Sequence, residues 1–101
     1  MPKTNAIIYS FVVPLYNESA GIERFHAALQ AVLDTDVPEA YEIVYCNDGS
    51  SDTTLDKLHQ LAKTHPAVRV VSLPRNFGKE IALTAGLNEA RGEAIITLDA
   101  D

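Results

Sequence analysis

The sequence predicts an α/β domain built on an open parallel sheet with helices on both faces. Four apolar runs alternate with three segments whose apolar residues recur at helical spacing, so the predicted order is β-α-β-α-β-α-β. The runs are rich in Val, Ile and aromatic residues, which is typical of strands buried on both faces of a parallel sheet. We expect a Rossmann-like sheet with strand order 3-2-1-4 and a switch point between the first and fourth strands.

The first strand covers residues 7–13 and is expected to end at Pro14, whose ring removes a backbone donor. A loop follows, and Asn17 or Ser19 is expected to cap the first helix. That helix carries one apolar stripe at helical spacing, made of Ile22, Phe25, Ala28, Leu29, Val32 and Leu33.

The second strand covers residues 41–46, the third covers residues 68–73, and the fourth begins at Ala94. The helix between the second and third strands is expected to bury Leu55, Leu58, Leu61 and Ala62. The third helix carries small residues that allow close packing on the sheet, namely Ala82, Ala85, Gly86 and Ala90. Gly92 is expected to stop this helix.

Composition and charge restrict the classes of protein to which this chain can belong. The chain has 101 residues, 47% hydrophobic and 22% charged, which predicts one ordered domain or part of one. A net charge of −6 argues against a nucleic-acid partner, and a phosphate-bearing ligand would need a cation or helix N-termini to offset repulsion. The single cysteine, Cys46, is expected to be a buried thiol, as in a reduced cytoplasmic protein. Every apolar stretch is shorter than the roughly 20 residues of a transmembrane helix.

Three polar loops follow strands whose carboxyl ends are expected to meet at one crevice: residues 14–18, 47–51 and 99–101. Asp99 and Asp101 flank Ala100 at the end of an apolar run that is expected to be a buried strand, where carboxylates are costly unless they are paired or bind a metal. They are expected to share Mg²⁺ or Mn²⁺, or to divide between the metal and a ribose hydroxyl. The alternative is that two acids simply end a strand in solvent.

Each polar residue of these loops also has a structural alternative. Asp48 is expected to accept a hydrogen bond from a base or ribose, or else to cap the second helix. Tyr16 would stack on a base or pack on the first helix, and Glu18 would bond a ribose or favour that helix's N-terminus. Arg75 and Lys79 would meet phosphates or remain solvated charges.

Other residues are assigned structural roles. Gly49 is expected to supply a positive φ or a close backbone approach in a tight turn. His26, His59 and His65 share no spacing and are expected at the surface, so no catalytic triad or zinc site is predicted.

Four motifs in this order carry a family resemblance: Val-Pro-Leu-Tyr-Asn-Glu at 13–18, Asn-Asp-Gly-Ser-Ser-Asp at 47–52, Arg-Asn-Phe-Gly-Lys-Glu at 75–80 and Leu-Asp-Ala-Asp at 98–101. Together they resemble the nucleotide-binding part of family 2 inverting glycosyltransferases with the GT-A fold. The third motif is similar to the polyprenyl-phosphate branch, which contains the bactoprenol glucosyltransferases and dolichyl-phosphate mannosyltransferase.

The resemblance implies an enzyme that moves a hexose, expected to be glucose from UDP-glucose, to a polyprenyl phosphate at the cytoplasmic face of the membrane. It implies that Asp101, with Asp99, ligates Mg²⁺ or Mn²⁺. The residues that it assigns to nucleotide binding are Pro14, Tyr16, Glu18, Asp48, Lys79 and Asp99.

The resemblance also implies that residues 1–101 are the nucleotide-sugar-binding part of a longer domain, with the catalytic base beyond residue 101. Such a chain is expected to bind nucleotide without catalysing transfer. Its fourth strand would be an exposed edge, which favours self-association. Two alternatives stay open: a glycosyltransferase of the same fold that acts on a surface polysaccharide, and a non-catalytic nucleotide-binding module.

Overall fold

The structure is a computed structural model that describes residues 6–100 of the chain. Its elements are β1 (Tyr9–Leu15), α1 (Ile22–Asp36), β2 (Tyr41–Asn47), α2 (Thr54–Thr64), β3 (Val68–Ser72), α3 (Lys79–Glu89) and β4 (Ala94–Thr97). The four strands form one parallel sheet in the order β3-β2-β1-β4. The predicted alternation and strand order are therefore confirmed. Within residues 6–100, no helix has the length and apolar character needed to cross a membrane.

The sheet has a separate apolar layer on each face, because successive residues of a strand point to opposite sides. On one face, Phe11 and Ile43 belong to a buried cluster that includes Leu33 of α1 and Leu58 of α2. On the other face, the central strands pack against α3, in a cluster made of Val12, Val44, Cys46 and Ala82. Helices therefore cover both faces, as predicted.

The small residues of α3 allow it to lie directly on the sheet. A Cβ at Gly86 would overlap the Cys46 sulfur and a methyl group of Val12, so a larger residue would force the helix away. Cys46 is 1% exposed, and burial raises the pKa of its thiol to about 12. The predictions of a close-packed helix and a buried thiol are both confirmed.

The first strand is longer than predicted, since β1 continues through Pro14 to Leu15. The Val12 carbonyl accepts a hydrogen bond from the Leu98 N–H at 3.0 Å, so Val12 faces β4. Pro14 lies two residues further on and faces the same side. The β4 ladder ends at Thr97, which pairs with Val12. The missing N–H of Pro14 therefore removes no hydrogen bond from the sheet, which is why proline is tolerated here.

The first helix begins later than predicted, at Ile22, with Gly21 at its N-cap and no capping side chain. The prediction that Asn17 or Ser19 caps it was wrong. The predicted apolar stripe is also only partly buried, because Val32 is 53% exposed. The buried side of this helix instead includes His26.

His26 is buried, so its predicted surface position was wrong. Its Nδ1 lies 2.7 Å from the Tyr45 hydroxyl, and its ring meets the His65 ring edge-on at 4.7 Å between centroids. Burial, followed by the charge of His65, lowers the pKa of His26. The Nε2 atom has no hydrogen-bond partner within residues 6–100. His65 is half-buried and His59 is exposed.

A buried carboxylate, Glu42, lies at the end of the sheet opposite the predicted crevice and joins several elements through hydrogen bonds. Glu42 accepts hydrogen bonds from the Ser10 hydroxyl at 2.6 Å and the Arg91 N–H at 2.7 Å, and it pairs with Arg69 at 3.0 Å. Burial raises the pKa of Glu42, but these hydrogen bonds outweigh that effect and leave the pKa below its ordinary value. This cluster connects three strands to the turn after α3.

The strand β4 lies at an edge of the sheet and pairs only with β1 among the described residues. Ile95 of this strand is 44% exposed. The predicted exposed, apolar edge is present, and self-association through it stays a prediction.

Candidate functional site

A cleft of about 330 Å³ opens at the carboxyl ends of β1, β2 and β4. Its walls are Pro14, Leu15, Tyr16, Glu18, Asp48, Asn76, Gly78, Lys79, Asp99 and Ala100. All six residues predicted to bind nucleotide therefore line one cavity, although they come from four separate parts of the sequence. Asp101 lies outside the described residues.

The loops after β1 and β2 are joined by hydrogen bonds. Asn17 Oδ1 accepts from the Ser51 N–H at 2.8 Å and from the Asp52 N–H at 3.3 Å. The Asn17 N–H donates to the Ser50 hydroxyl at 2.9 Å. The side chain that was expected to cap α1 therefore bonds to the second loop instead.

A second set of contacts connects the first loop to the start of α2. The Glu18 N–H donates to the Thr54 hydroxyl at 2.9 Å, and the Ser19 N–H donates to Asp52 at 3.2 Å. Burial raises the pKa of Asp52, but hydrogen bonds from Thr54 and Ser19 outweigh it and lower the pKa to about 2. Asp52 therefore stays ionised at neutral pH and holds the backbone beside Glu18.

Asp48 fastens a third loop, which joins β3 to α3. Its carboxylate accepts hydrogen bonds from the Phe77 N–H at 2.8 Å, the Gly78 N–H at 3.0 Å and the Asn76 side chain at 2.9 Å. Oδ1 receives one of these bonds and Oδ2 receives two, whereas a carboxylate oxygen has two lone pairs. Oδ1 thus keeps acceptor capacity, and Asp48 is one of the residues that line the cleft. The predicted contact with a base stays a prediction.

Gly49 allows the second and third loops to touch. Its φ is +63°, and a Cβ there would overlap the backbone of Arg75 and Asn76. The predicted positive φ and close backbone approach are both confirmed.

Asn76 and Gly78 also line the cleft, although the sequence does not predict this position for either residue. Gly78 has a φ of 107° at the N-cap of α3, and the Asn76 amide bonds to Asp48. The available signal was an Asn-x-Gly sequence directly before a helix, because glycine there permits the positive φ.

The two basic residues of the third loop have different positions. Lys79 lines the cleft, and its Nζ lies 2.5 Å from Asp99 Oδ1, with both side chains more than half exposed. Arg75 is not among the cleft residues of the described chain, and its guanidinium lies 4.6 Å from the centre of the Phe77 ring. Of these two residues, Lys79 is therefore the one positioned to meet a ligand in the cleft.

The carboxylates of the cleft suit a metal ion that is bound partly by the protein and partly by the phosphates of a ligand. Within residues 6–100 there is no group of three or more His, Cys, Asp or Glu side chains that could hold a metal. Asp99 offers one exposed carboxylate on the cleft wall. Mg²⁺ in nucleotide sites usually takes one or two carboxylates together with substrate phosphates and waters. Asp99, as the most exposed of the cleft carboxylates in the described chain, suits that kind of site.

The sequence of residues 10–101 matches the family described as Glycosyl transferase family 2. A bactoprenol glucosyl transferase of Shigella phage SfV is 44% identical over 92 residues, which cover 91% of this chain and 30% of that protein. The chain spans 28–30% of the length of such curated relatives.

Solved structures share the fold. The mannosyltransferase PcManGT from Pyrobaculum calidifontis, in complex with GDP-Man and Mn²⁺, has a TM-score of 0.80 and 33% identity, covering 97% of this chain and 28% of that one. Residues 1–349 of S. aureus TarS, in complex with UDP, give a TM-score of 0.78 and 27% identity, covering 94% of this chain and 28% of that one. The chain therefore belongs to glycosyl transferase family 2 and has the Rossmann-like sheet of the GT-A fold.

Proposed function

We propose that this chain forms the donor-binding part of a metal-dependent inverting glycosyltransferase that uses UDP-glucose. The observation that carries the proposal is that all six residues assigned to nucleotide binding by the family resemblance line one cleft. The similarity to a bactoprenol glucosyl transferase supports glucose as the sugar. The similarity to a structure in complex with UDP supports uridine as the base.

The nucleoside is assigned to the side of the cleft formed by the first two loops. Asp48 is 3% exposed and has acceptor capacity left on Oδ1, which suits an N–H of a base. Tyr16 is 47% exposed and offers an aromatic face for stacking. Pro14 and Glu18 complete this side of the cleft, with Glu18 as the acceptor for a ribose hydroxyl.

The diphosphate is assigned to the opposite side, where α3 begins and β4 ends. Lys79 provides positive charge in a chain whose net charge is −6, and the N-terminus of α3 attracts anions. Asp99 and Asp101 are proposed to hold Mg²⁺ or Mn²⁺. When bound, such an ion stabilises negative charge on the departing nucleotide diphosphate.

The acceptor is proposed to be a polyprenyl phosphate at the cytoplasmic face of the membrane, supported by the bactoprenol relative. Transfer with inversion needs a base that orients or deprotonates the acceptor. We assign no base within the described cleft, because Asp48 holds the third loop, Asp99 pairs with Lys79, and Glu18 is assigned to a ribose hydroxyl.

GDP-mannose is the competing donor, because the Pyrobaculum calidifontis structure contains GDP-Man. Isothermal titration calorimetry with UDP, UDP-glucose and GDP-mannose, each with Mn²⁺ or with a chelator, distinguishes the two. We expect binding of the uridine nucleotides that requires metal. Preference for GDP-mannose would overturn the assignment of the base, and absence of nucleotide binding by the folded chain would overturn the proposal.

Substitutions test which side chains bind the metal and the nucleotide. Asp101→Asn is expected to remove metal-dependent nucleotide binding without unfolding the chain. Asp48→Ala is expected to weaken uridine binding without changing its metal dependence. Asp56→Asn, on the exposed side of α2, makes the same charge change away from the cleft and should bind like the parent. Unchanged metal-dependent affinity in the Asp101→Asn variant would exclude Asp101 as a ligand.

A further inference from the structure

We infer that Asn17 is a positioning residue for the donor cleft, since it holds Tyr16 and Glu18 in place by joining the first loop to the second. Asn17 does not line the cleft, whereas both of its sequence neighbours do. The effect of Asn17 on nucleotide binding rests on the proposed function, whereas its effect on the contact between the loops does not.

The backbone of Asn17 makes the turn that directs its two neighbours. Its φ is +53°, and it is the only non-glycine residue with positive φ in the described chain. Asparagine adopts this left-handed conformation more readily than most residues, because its short polar side chain can form local hydrogen bonds. The turn follows directly after β1 ends at Leu15, so it determines where the first loop leaves the sheet.

The side chain of Asn17 keeps this turn against the second loop. Its Oδ1 receives the successive N–H groups of Ser51 and Asp52, at 2.8 Å and 3.3 Å. Successive backbone N–H groups in a turn form a concave site for an electronegative atom. The Asn17 N–H meanwhile donates to the Ser50 hydroxyl at 2.9 Å. The residue therefore bonds to the second loop through both its backbone and its side chain.

The chemistry of an amide suits this position. The cleft already contains three carboxylates, those of Glu18, Asp48 and Asp99. A neutral acceptor at residue 17 joins the loops without adding a negative charge that would repel a nucleotide diphosphate. An aspartate would supply the same acceptor geometry, and it therefore serves as the conservative replacement.

Amide hydrogen exchange measured by NMR without nucleotide tests the loop contact. Asn17→Gly keeps the backbone freedom and removes the acceptor, Asn17→Ala removes both, and Asn17→Asp keeps both. Exchange at Ser51 and Asp52 is expected to accelerate about threefold to tenfold in the Gly and Ala variants, which corresponds to one lost hydrogen bond. The Asp variant should exchange like the parent. Equal exchange in the parent and the Gly variant would overturn the inference, whether or not the chain binds nucleotide.

Calorimetry with UDP and Mn²⁺ tests the consequence for binding. The Gly and Ala variants are expected to bind about tenfold more weakly at a temperature where each is folded. The Asn17→Asp variant should bind more tightly than these two but more weakly than the parent, because its added negative charge repels the diphosphate. Ser51→Ala is the matched control, because it removes only the 3.4 Å contact of the Ser51 hydroxyl with Asn17. Parent-like affinity in the Asn17→Gly variant would overturn the positioning role. If the parent itself binds no UDP, the proposed function fails and the exchange measurement alone decides the role of Asn17.

Discussion

Replacing Gly49 by alanine tests how closely the loops after β2 and β3 approach each other. Gly49 has a φ of +63°, a conformation that is unfavourable for residues with a Cβ. The new Cβ would also overlap the carbonyl carbon of Arg75 and the amide nitrogen of Asn76. Both atoms belong to the backbone, so rotation of a side chain cannot relieve the overlap.

The expected loss of stability has two parts. A left-handed conformation costs an L-residue about 1–2 kcal/mol, and overpacking costs about 1–3 kcal/mol. The free energy of unfolding should therefore fall by about 2–5 kcal/mol. For a domain of this size, each kcal/mol lowers the midpoint of thermal unfolding by roughly 4–8 °C. Separation of the loops would also weaken the hydrogen bonds that the Phe77 and Gly78 N–H groups donate to Asp48, and so distort the cleft.

Thermal and urea unfolding followed by circular dichroism measure this loss. Gly21→Ala is the control, because Gly21 has a φ of −118° and a Cβ there would come no closer than 3.9 Å to Glu18. The control should stay within about 1 kcal/mol of the parent, since alanine is somewhat less favourable than glycine at an N-cap. A Gly49→Ala midpoint within about 2 °C of the parent would correspond to less than about 0.5 kcal/mol and would refute the close approach of the loops.

Three further substitutions probe other contacts. Glu42→Ala should lower the free energy of unfolding by about 2–4 kcal/mol, because it leaves buried donors unpaired; a loss below about 1 kcal/mol in urea unfolding would contradict this. Burial lowers the pKa of His26 in the folded chain. Between this folded pKa and about 6.5, the unfolded chain therefore binds more protons than the folded chain. The free energy of unfolding should fall as pH decreases through this window, by up to about 1.4 kcal/mol per pH unit. His26→Phe should reduce this slope, and an unchanged slope between about pH 5 and about pH 8 would count against the buried histidine as its source. Lys79→Met should tighten Mn²⁺ binding without nucleotide by about threefold, because an exposed ion pair no longer competes for Asp99; unchanged Mn²⁺ affinity in calorimetry would argue against a metal at Asp99.

The order of elements follows from local patterns that the sequence carries. Apolar runs without alternation predict strands buried on both faces, and helical spacing between them predicts the crossovers. The switch point between β1 and β4 then brings the carboxyl ends of β1, β2 and β4 to one rim, which explains why the predicted residues share a cleft.

Side-chain partners were less predictable than elements. The sequence predicts Asp48 as a ligand for a base or as a cap for α2, whereas its carboxylate accepts hydrogen bonds from a loop about 30 residues later in the chain. The sequence predicts Asn17 as a cap for α1, but its partners lie in the loop after β2. In both cases the residue type indicated a hydrogen-bonding role, and the partner depended on which loops the sheet brings together.

The burial of His26 likewise depended on its tertiary partner and could not be predicted from its residue type. Its spacing from Ile22 and Leu33 is compatible with the buried side of α1, but a polar residue at such a position indicates solvent as readily as the core. The Tyr45 hydroxyl, 2.7 Å away across the sheet interface, provides the partner that makes burial possible.

The amino-acid sequence by itself determined the alternating strands and helices, the strand order, the close packing of α3 and the residue types at the rim, because these depend on periodicity, residue size and the handedness of crossovers. Only the tertiary structure decided that Asn17 joins two loops, that Asp48 holds a third, and that Lys79 pairs with Asp99. These contacts join segments far apart in the chain. Their hydrogen bonds need distances near 3 Å, which a one-dimensional pattern does not specify.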